Sequence, residues 1–398
     1  MPAKSEKKTA RHDFMKITVA IDSFKGSITS TEAAYAVRAA ALSFGQSTEI
    51  KTFALADGGE GTVEAFLAAL GGRKYSESVV GPLGEEVIAE YGISEDGTAI
   101  IEMSSAAGLP LVPADKRNPG YTTTFGVGQL ILAAIAKGSR KFIVGLGGSA
   151  TNDGGAGMLS ALGYKLLDGE GRKIPLGAVG LSRLERINSS GVIPELSECS
   201  FLAACDVKNP LLGKNGASAV FGPQKGADSK SVELLDSWLS RFAAVSEEYL
   251  CVSHRNDEGA GAAGGLGFAL ISYLGAELRS GIDLLINLSN IEEEIRTSDL
   301  VITGEGRLDG QTVMGKAPVG IAALAKKHGK PVIAFCGCVG NGASSCNCAG
   351  IDAYFPIIQG PCTLSEALDK HTATENLKRT AEQAIRLFAC AGRITNNC

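Results

Sequence analysis

The run Lys141-Phe142-Ile143-Val144-Gly145-Leu146 reads as a buried strand, and it empties into a glycine-rich loop, Gly147 to Gly157, that leads into a short apolar helix. Six glycines between Gly145 and Gly157 free the backbone to bend sharply and let its N–H groups come close to a ligand. A helix N-terminus behind such a loop favours an anion. The loop also carries Asp153, with Ser149, Thr151 and Asn152 beside it. A loop that only cradles phosphate has no use for a central carboxylate unless a metal or a proton transfer employs it. The combination points to chemistry on phosphate.

At 398 residues the chain is long enough for two or three domains. Its 44% hydrophobic and 20% charged residues are the balance of an ordinary soluble globular protein. A net charge of -5 supplies no basic footprint for nucleic acid. No apolar run approaches the roughly 18 residues of a membrane span. Residues 1–14 mix Lys4, Lys7, Lys8 and Arg11 with Glu6 and Asp13 and lack the apolar core of a secretory signal; a disordered extension is expected. Without such a signal, the ten cysteines are expected to be reduced thiols of a cytoplasmic protein. Cys336-x-Cys338 with Cys346-x-Cys348 is the one pattern with metal character. C-x-C is less typical of structural zinc than C-x2-C, and Cys336 is expected to point into the core.

Both ends of the chain alternate strand and helix. Lys16–Ile21 is β-rich, Thr29 or Ser30 can cap a helix from Thr31 to about Phe44, and Glu49–Leu55 is a second strand. The alternation resumes with Leu300–Thr303, a helix over Ala317–Lys327, strands Val332–Phe335 and Ala353–Ile358, and a helix over Thr374–Ala389. Between them the pattern changes. After a helix over Gly61–Leu70, the strands Lys74–Val80, Val87–Gly92 and Ala99–Met103 form an antiparallel meander. Later come a strand Phe201–Cys205, a helix over Val232–Tyr249 and a glycine-opened apolar helix over Gly259–Tyr273. The economical arrangement is an α/β protein: a doubly wound parallel-sheet domain, residues 15–75 plus 285–395, interrupted by a mixed α/β domain, residues 76–284. Sites in such folds favour the cleft between domains and the carboxyl ends of parallel strands.

Four further loops carry polar residues just beyond a strand. Asp22-Ser23-Phe24-Lys25-Gly26-Ser27 offers Lys25 as a point charge for phosphate or carboxylate. In Ala56-Asp57-Gly58-Gly59-Glu60-Gly61-Thr62, Asp57 suits a divalent cation or sugar-like hydroxyls, whereas Glu60 suits the helix dipole. Cys205-Asp206-Val207-Lys208 could supply a base and an anchor, and Gly222-Pro223-Gln224-Lys225-Gly226 adds another lysine. The segment Thr303 to Lys316 crowds Glu305, Arg307, Asp309 and Lys316 into one connection. Its Gly310-x4-Gly315-Lys316 lacks the Ser/Thr of a phosphate-binding P-loop, Ala317 standing there instead. Gly145-x-Gly147-x-x-Ala150 matches a dinucleotide fingerprint only loosely. Phosphoryl transfer wants this inventory: cations for the transferred group, carboxylates for magnesium and a base near the acceptor hydroxyl.

Taken in order, these phrases resemble the type I glycerate kinase family from about Met15 to about Leu387. The departures are Ile21, where the family usually has proline, the cysteine-rich Cys336–Cys348 segment and the two terminal extensions. The resemblance implies a flavodoxin-like domain interrupted by a second α/β domain, with ATP and magnesium as cofactors. It implies phosphorylation of D-glycerate, with 2-phosphoglycerate the favoured product over 3-phosphoglycerate. A homodimer is left open, as is an NAD(P)-dependent oxidoreductase using the 145–157 loop. On this reading Lys25 and Arg307 hold the carboxylate or the transferring phosphate, with Ser23 and Glu305 alongside. Gly147, Gly148, Ser149 and Asn152 contact phosphate, and Asp153 or Asp206 accepts the proton. Asp57 and Asp309 bind magnesium, and Lys316 neutralises developing charge.

Overall fold

The computed structural model describes residues 15–44, 48–56 and 58–395. The expected N-terminal extension, the last residues of the tail and Asp57 lie outside the described residues. The described chain separates into two compact units. One holds the residues up to Leu55 and those from Ser289 onward, and the other is Ala56–Leu288.

The first unit opens with β1 (Met15–Ile21), buried from Ile17 onward. Thr29 and Glu32 then close a reciprocal cap on the helix Ser30–Phe44. The Glu32 amide donates to Thr29 Oγ1 at 3.2 Å and the Thr29 amide to the Glu32 carboxylate at 3.1 Å. This helix carries the chain back to β2 (Thr48–Ala54), parallel to β1.

In the second unit, β3 (Arg73–Val80), β4 (Glu86–Ile93) and β5 (Thr98–Glu102) form the expected antiparallel meander. The crossing between units falls after Leu55 rather than near residue 75, because the helix Thr62–Leu70 packs against β4 and β5. The chain goes on through β6 (Lys141–Gly145) and a small antiparallel ribbon, β7 (Lys165–Leu167) with β8 (Arg186–Asn188). It then enters β9 (Ser200–Ala204) and β10 (Glu277–Arg279). The sheet order is β10-β9-β6-β5-β4-β3, with β5, β6, β9 and β10 mutually parallel. Phe142 and Phe201 stack at 4.7 Å in the core of this unit, which also buries Met158, Leu159, Phe242 and Phe268. Register places Glu102, Gly145, Ala204 and Arg279 together at the carboxyl edge of the parallel strands.

The chain returns to the first unit as β11 (Leu300–Leu308), β12 (Val332–Val339) and β13 (Ala353–Pro356). They complete a five-stranded, wholly parallel sheet of order β13-β12-β11-β1-β2. That is the flavodoxin order, in which the winding reverses between β1 and β11. β11 was expected to stop at Thr303 but runs to Leu308, because Arg307 and Leu308 go on pairing with Cys338 and Val339 of β12. Glycine at 304 permits the tight crossing: a Cβ there would lie 2.2 Å from the Phe335 carbonyl. No helix among the described residues is long and apolar enough to cross a membrane.

Candidate active site

The glycine loop leaves the carboxyl end of β6 under tight steric control. A Cβ on Gly145 would lie 2.5 Å from the Gly58 carbonyl oxygen, and one on Gly147 would lie 2.5 Å from Gly59 Cα. The turn after Asp57 therefore lies directly on the loop, which is why both segments are built of glycine. The Gly147 N–H donates to the Gly58 carbonyl at 2.8 Å and the Ala150 N–H to that of Ala107 at 2.9 Å, so neither amide is offered to a ligand. Between them, the amides of Gly148 and Ser149 have no acceptor among the described residues. Gly148 is exposed and has a φ of +74°. Of these amides, those of Gly148 and Ser149 are open to a phosphate oxygen and that of Gly147 is not.

Asp153 is fully buried beneath this loop. Thr124 N–H and Oγ1 donate to Oδ2 at 2.8 and 2.9 Å, and the amides of Gly155 and Gly157 donate to the carboxylate at 3.1 and 3.2 Å. Burial pushes the Asp153 pKa up, against the pull of the Thr124 and glycine donors. Both oxygens are occupied in tying the start of the helix Ala156–Ala161 to Thr124. Asn152 is equally buried, its Nδ2 donating to Ser218 Oγ at 3.0 Å while its Oδ1 has no partner among the described residues.

Gly264 and Gly265 hold the loop from the other side. The helix expected from Gly259 is regular only beyond them, since Ala263, Gly264 and Gly265 have φ of 52, 68 and 90°. The Gly154 N–H donates to the Gly264 carbonyl at 3.0 Å, and a Cβ on Gly264 would lie 2.0 Å from the Thr151 carbonyl oxygen.

Three other residues complete this edge of the unit. Lys225 is buried, and its Nζ donates to Ser149 Oγ and to the Thr151 carbonyl, each at 2.7 Å. Its phrase was visible in the sequence, but not its reach across to the loop. Asp206, exposed beyond β9, accepts the Gly281 N–H at 3.1 Å. Glu102 ends β5, and its Oε1 accepts the Val63 N–H at 2.8 Å, holding the helix start that Glu60 was expected to serve. Burial pushes the Glu102 carboxyl up to about 7, with Glu60 and Glu64 adding to the rise.

The other expected residues gather in the first unit, at the carboxyl ends of β1 and β11 where the winding reverses. The Asp22 N–H donates to the Gly304 carbonyl at 2.9 Å, and the Ser23 N–H to Asp22 Oδ1 at 2.6 Å. Phe24 and Ile28 pair across a tight turn that leaves Lys25 exposed at its tip. On β11, the buried Glu305 accepts Thr312 Oγ1 at 2.6 Å and Lys316 Nζ at 3.4 Å. Burial raises the Glu305 pKa, opposed by Thr312 and Lys316. Arg307 Nε lies 3.2 Å from Asp309 Oδ2, and the Gln311 N–H donates to Asp309 Oδ1 at 2.9 Å. Thr312 links the two pairs, since the Asp309 N–H donates to its hydroxyl at 3.1 Å. Lys316 itself stands at the position before the helix Ala317–Lys327, its side chain turned to Glu305. The result is one connected network of two carboxylates, two cations and a hydroxyl.

Among the described residues no group of three or more histidine, cysteine or acidic side chains is arranged to hold a metal. Cys336 and Cys346 are buried, and desolvation pushes the Cys336 thiol up to about 12. The site carboxylates Glu305 and Asp309 do not by themselves build a magnesium cage. They do fit a magnesium that arrives on nucleotide phosphates, which needs only one or two protein carboxylates.

A model of the glycerate kinase family matches residues 17–389. A Bacillus subtilis glycerate kinase is 48% identical over 92% of this chain and 96% of its own length. An Escherichia coli glycerate 2-kinase is 47% identical over 95% of this chain and 99% of its own. A crystal structure from Salmonella typhimurium LT2, described as a putative glycerate kinase 2, superposes with a TM-score of 0.84 at 44% identity. It covers 97% of this chain and 100% of that one.

Proposed function

The chain belongs to the glycerate kinase family and is a kinase, and on that premise we propose that it transfers the γ-phosphoryl group of ATP to D-glycerate, giving 2-phosphoglycerate. The observation that carries the reading is the Glu305–Thr312–Asp309 network with its two cations. It lies where the flavodoxin order puts a ligand, beyond the carboxyl ends of the strands at the reversal point.

The roles follow from the charge and chemistry of each side chain. Ser149 and the amides of Gly148 and Ser149 hold an anionic oxygen. Lys25 and Arg307 meet the carboxylate or the transferring phosphate, with Ser23 alongside, and Lys316 balances charge that builds on the phosphates. Glu305 keeps Lys316 and Thr312 in place. Asp309 would hold magnesium carried on ATP, which would polarise the phosphate oxygens, and Asp57, which lies outside the described residues, is the second candidate. Asp153, with both oxygens spent on the loop, is a positioning residue. Asp206, exposed just beyond the carboxyl end of β9, is the better base. In the step itself the glycerate 2-hydroxyl oxygen bonds to the γ-phosphorus. The bond from that phosphorus to the bridging oxygen of ADP breaks, and the hydroxyl proton passes to Asp206.

The test is nuclear magnetic resonance of the product formed from D-glycerate and MgATP. The expected product is 2-phosphoglycerate. A signal from 3-phosphoglycerate alone overturns the assigned position, and no phosphorylated glycerate at all overturns the activity.

A further inference from the structure

Lys225 is 1% exposed, and among the described residues neither of its hydrogen-bond partners is a carboxylate. Its two partners are neutral: the Thr151 carbonyl and the Ser149 hydroxyl, each at 2.7 Å. A carbonyl only accepts, so one N–H is always committed to Thr151. The bond to Ser149 then depends on the state of the amine. An ammonium must donate to Ser149 Oγ, which leaves the serine proton to point elsewhere. A neutral amine can instead accept that proton and turn it inward.

We propose that Lys225 positions the Ser149 hydroxyl as an outward donor to an oxyanion seated on the glycine loop, and that arrival of this anion draws a proton onto Lys225. The proposal rests on the kinase reading above and concerns how its loop is prepared. The oxyanion is a carboxylate or a phosphate, and the two substrates separate these. Burial brings the Lys225 pKa down to about 7, and the charge facing it, on Asp153, raises it. Near neutrality the ligand-free amine is therefore divided between the two states. A negative charge on the far side of Ser149 tips it toward the ammonium.

The experiment is calorimetric titration of the whole enzyme at pH 8 in buffers of different ionisation enthalpy, which counts protons taken up on binding. D-glycerate and a non-hydrolysable ATP analogue with magnesium are titrated separately. For the ligand whose anion seats on the loop, wild type takes up a substantial fraction of a proton. Lys225→Arg, a permanent cation, takes up less, and Ser149→Ala binds that ligand at least tenfold more weakly with its fold intact. Should the arginine not fit the buried site, Lys225→Met serves for the same difference. Binding of both ligands by wild type without uptake overturns the proposal, as does uptake unchanged in the Lys225 variant. Either result leaves the kinase reading standing. That reading fails separately, if wild type releases no ADP in the presence of D-glycerate.

Discussion

Asp153 and Glu102 are both buried carboxylates at the edge of one sheet, yet they respond differently to substitution. Asp153 accepts from Thr124, Gly155 and Gly157, and an amide in its place would turn an NH2 toward one of those donors. Asp153→Asn is expected to cost about 2–4 kcal/mol of stability, read as a lower urea midpoint. Activity per folded molecule should fall far less than removal of a base requires. Glu102 titrates at about 7 in the fold against 4.5 when free. A carboxyl raised in this way leaves the folded state holding more protons than the unfolded one. Stability is then lost as pH rises from about 4.5 through 7, by at most about 3 kcal/mol. Glu102→Gln removes that loss, so its stability relative to wild type should be higher at pH 8 than at pH 5. An equal difference at both values would contradict the assignment. The sequence marks Asp153 as unusual without revealing its use. Its partner Thr124 is 29 residues away, and the Lys225–Ser149 bond spans 76. Contacts at such separations leave no periodic trace in a single chain.

At the scale of elements, strands and helices with one buried face were legible because their apolar period is local. The reciprocal Thr29–Glu32 cap and the β3–β4–β5 meander are of this kind. Two elements were misread where glycine has a steric rather than a turn-forming purpose. In β11, Gly304 and Gly306 read as a loop, though Gly304 serves to let the strand pass close to Phe335. At Gly264 and Gly265 the apolar helix is interrupted so that the backbone can close on Thr151 and Gly154. Gly264→Ala is expected to lose more than about 2 kcal/mol, from left-handed strain together with the clash at Thr151. Gly275→Ala, with a similar φ of +60° but open space around it, should lose only about 1 kcal/mol. Thermal unfolding of the two variants makes the comparison, and equal losses would mean that the close approach at Gly264 is unimportant.

At the scale of the molecule, alternation at both chain ends with a different pattern between them was enough to read an α/β protein with an interrupted parallel sheet. The strand order, which reveals the reversal point between β1 and β11, was not legible, because parallel pairing joins strands hundreds of residues apart. Ala56–Leu288 is continuous and has its own six-stranded sheet and core. Expressed alone, it should fold with a cooperative unfolding transition, whereas residues 1–55 alone should not. The most direct measurement of the central claim is ADP release from MgATP by the full chain, with and without D-glycerate, in wild type and in Glu305→Gln. The account predicts release that depends on D-glycerate and falls at least tenfold in the variant, whose Lys316 loses its counter-charge. Release independent of D-glycerate, or none in either condition, would contradict it.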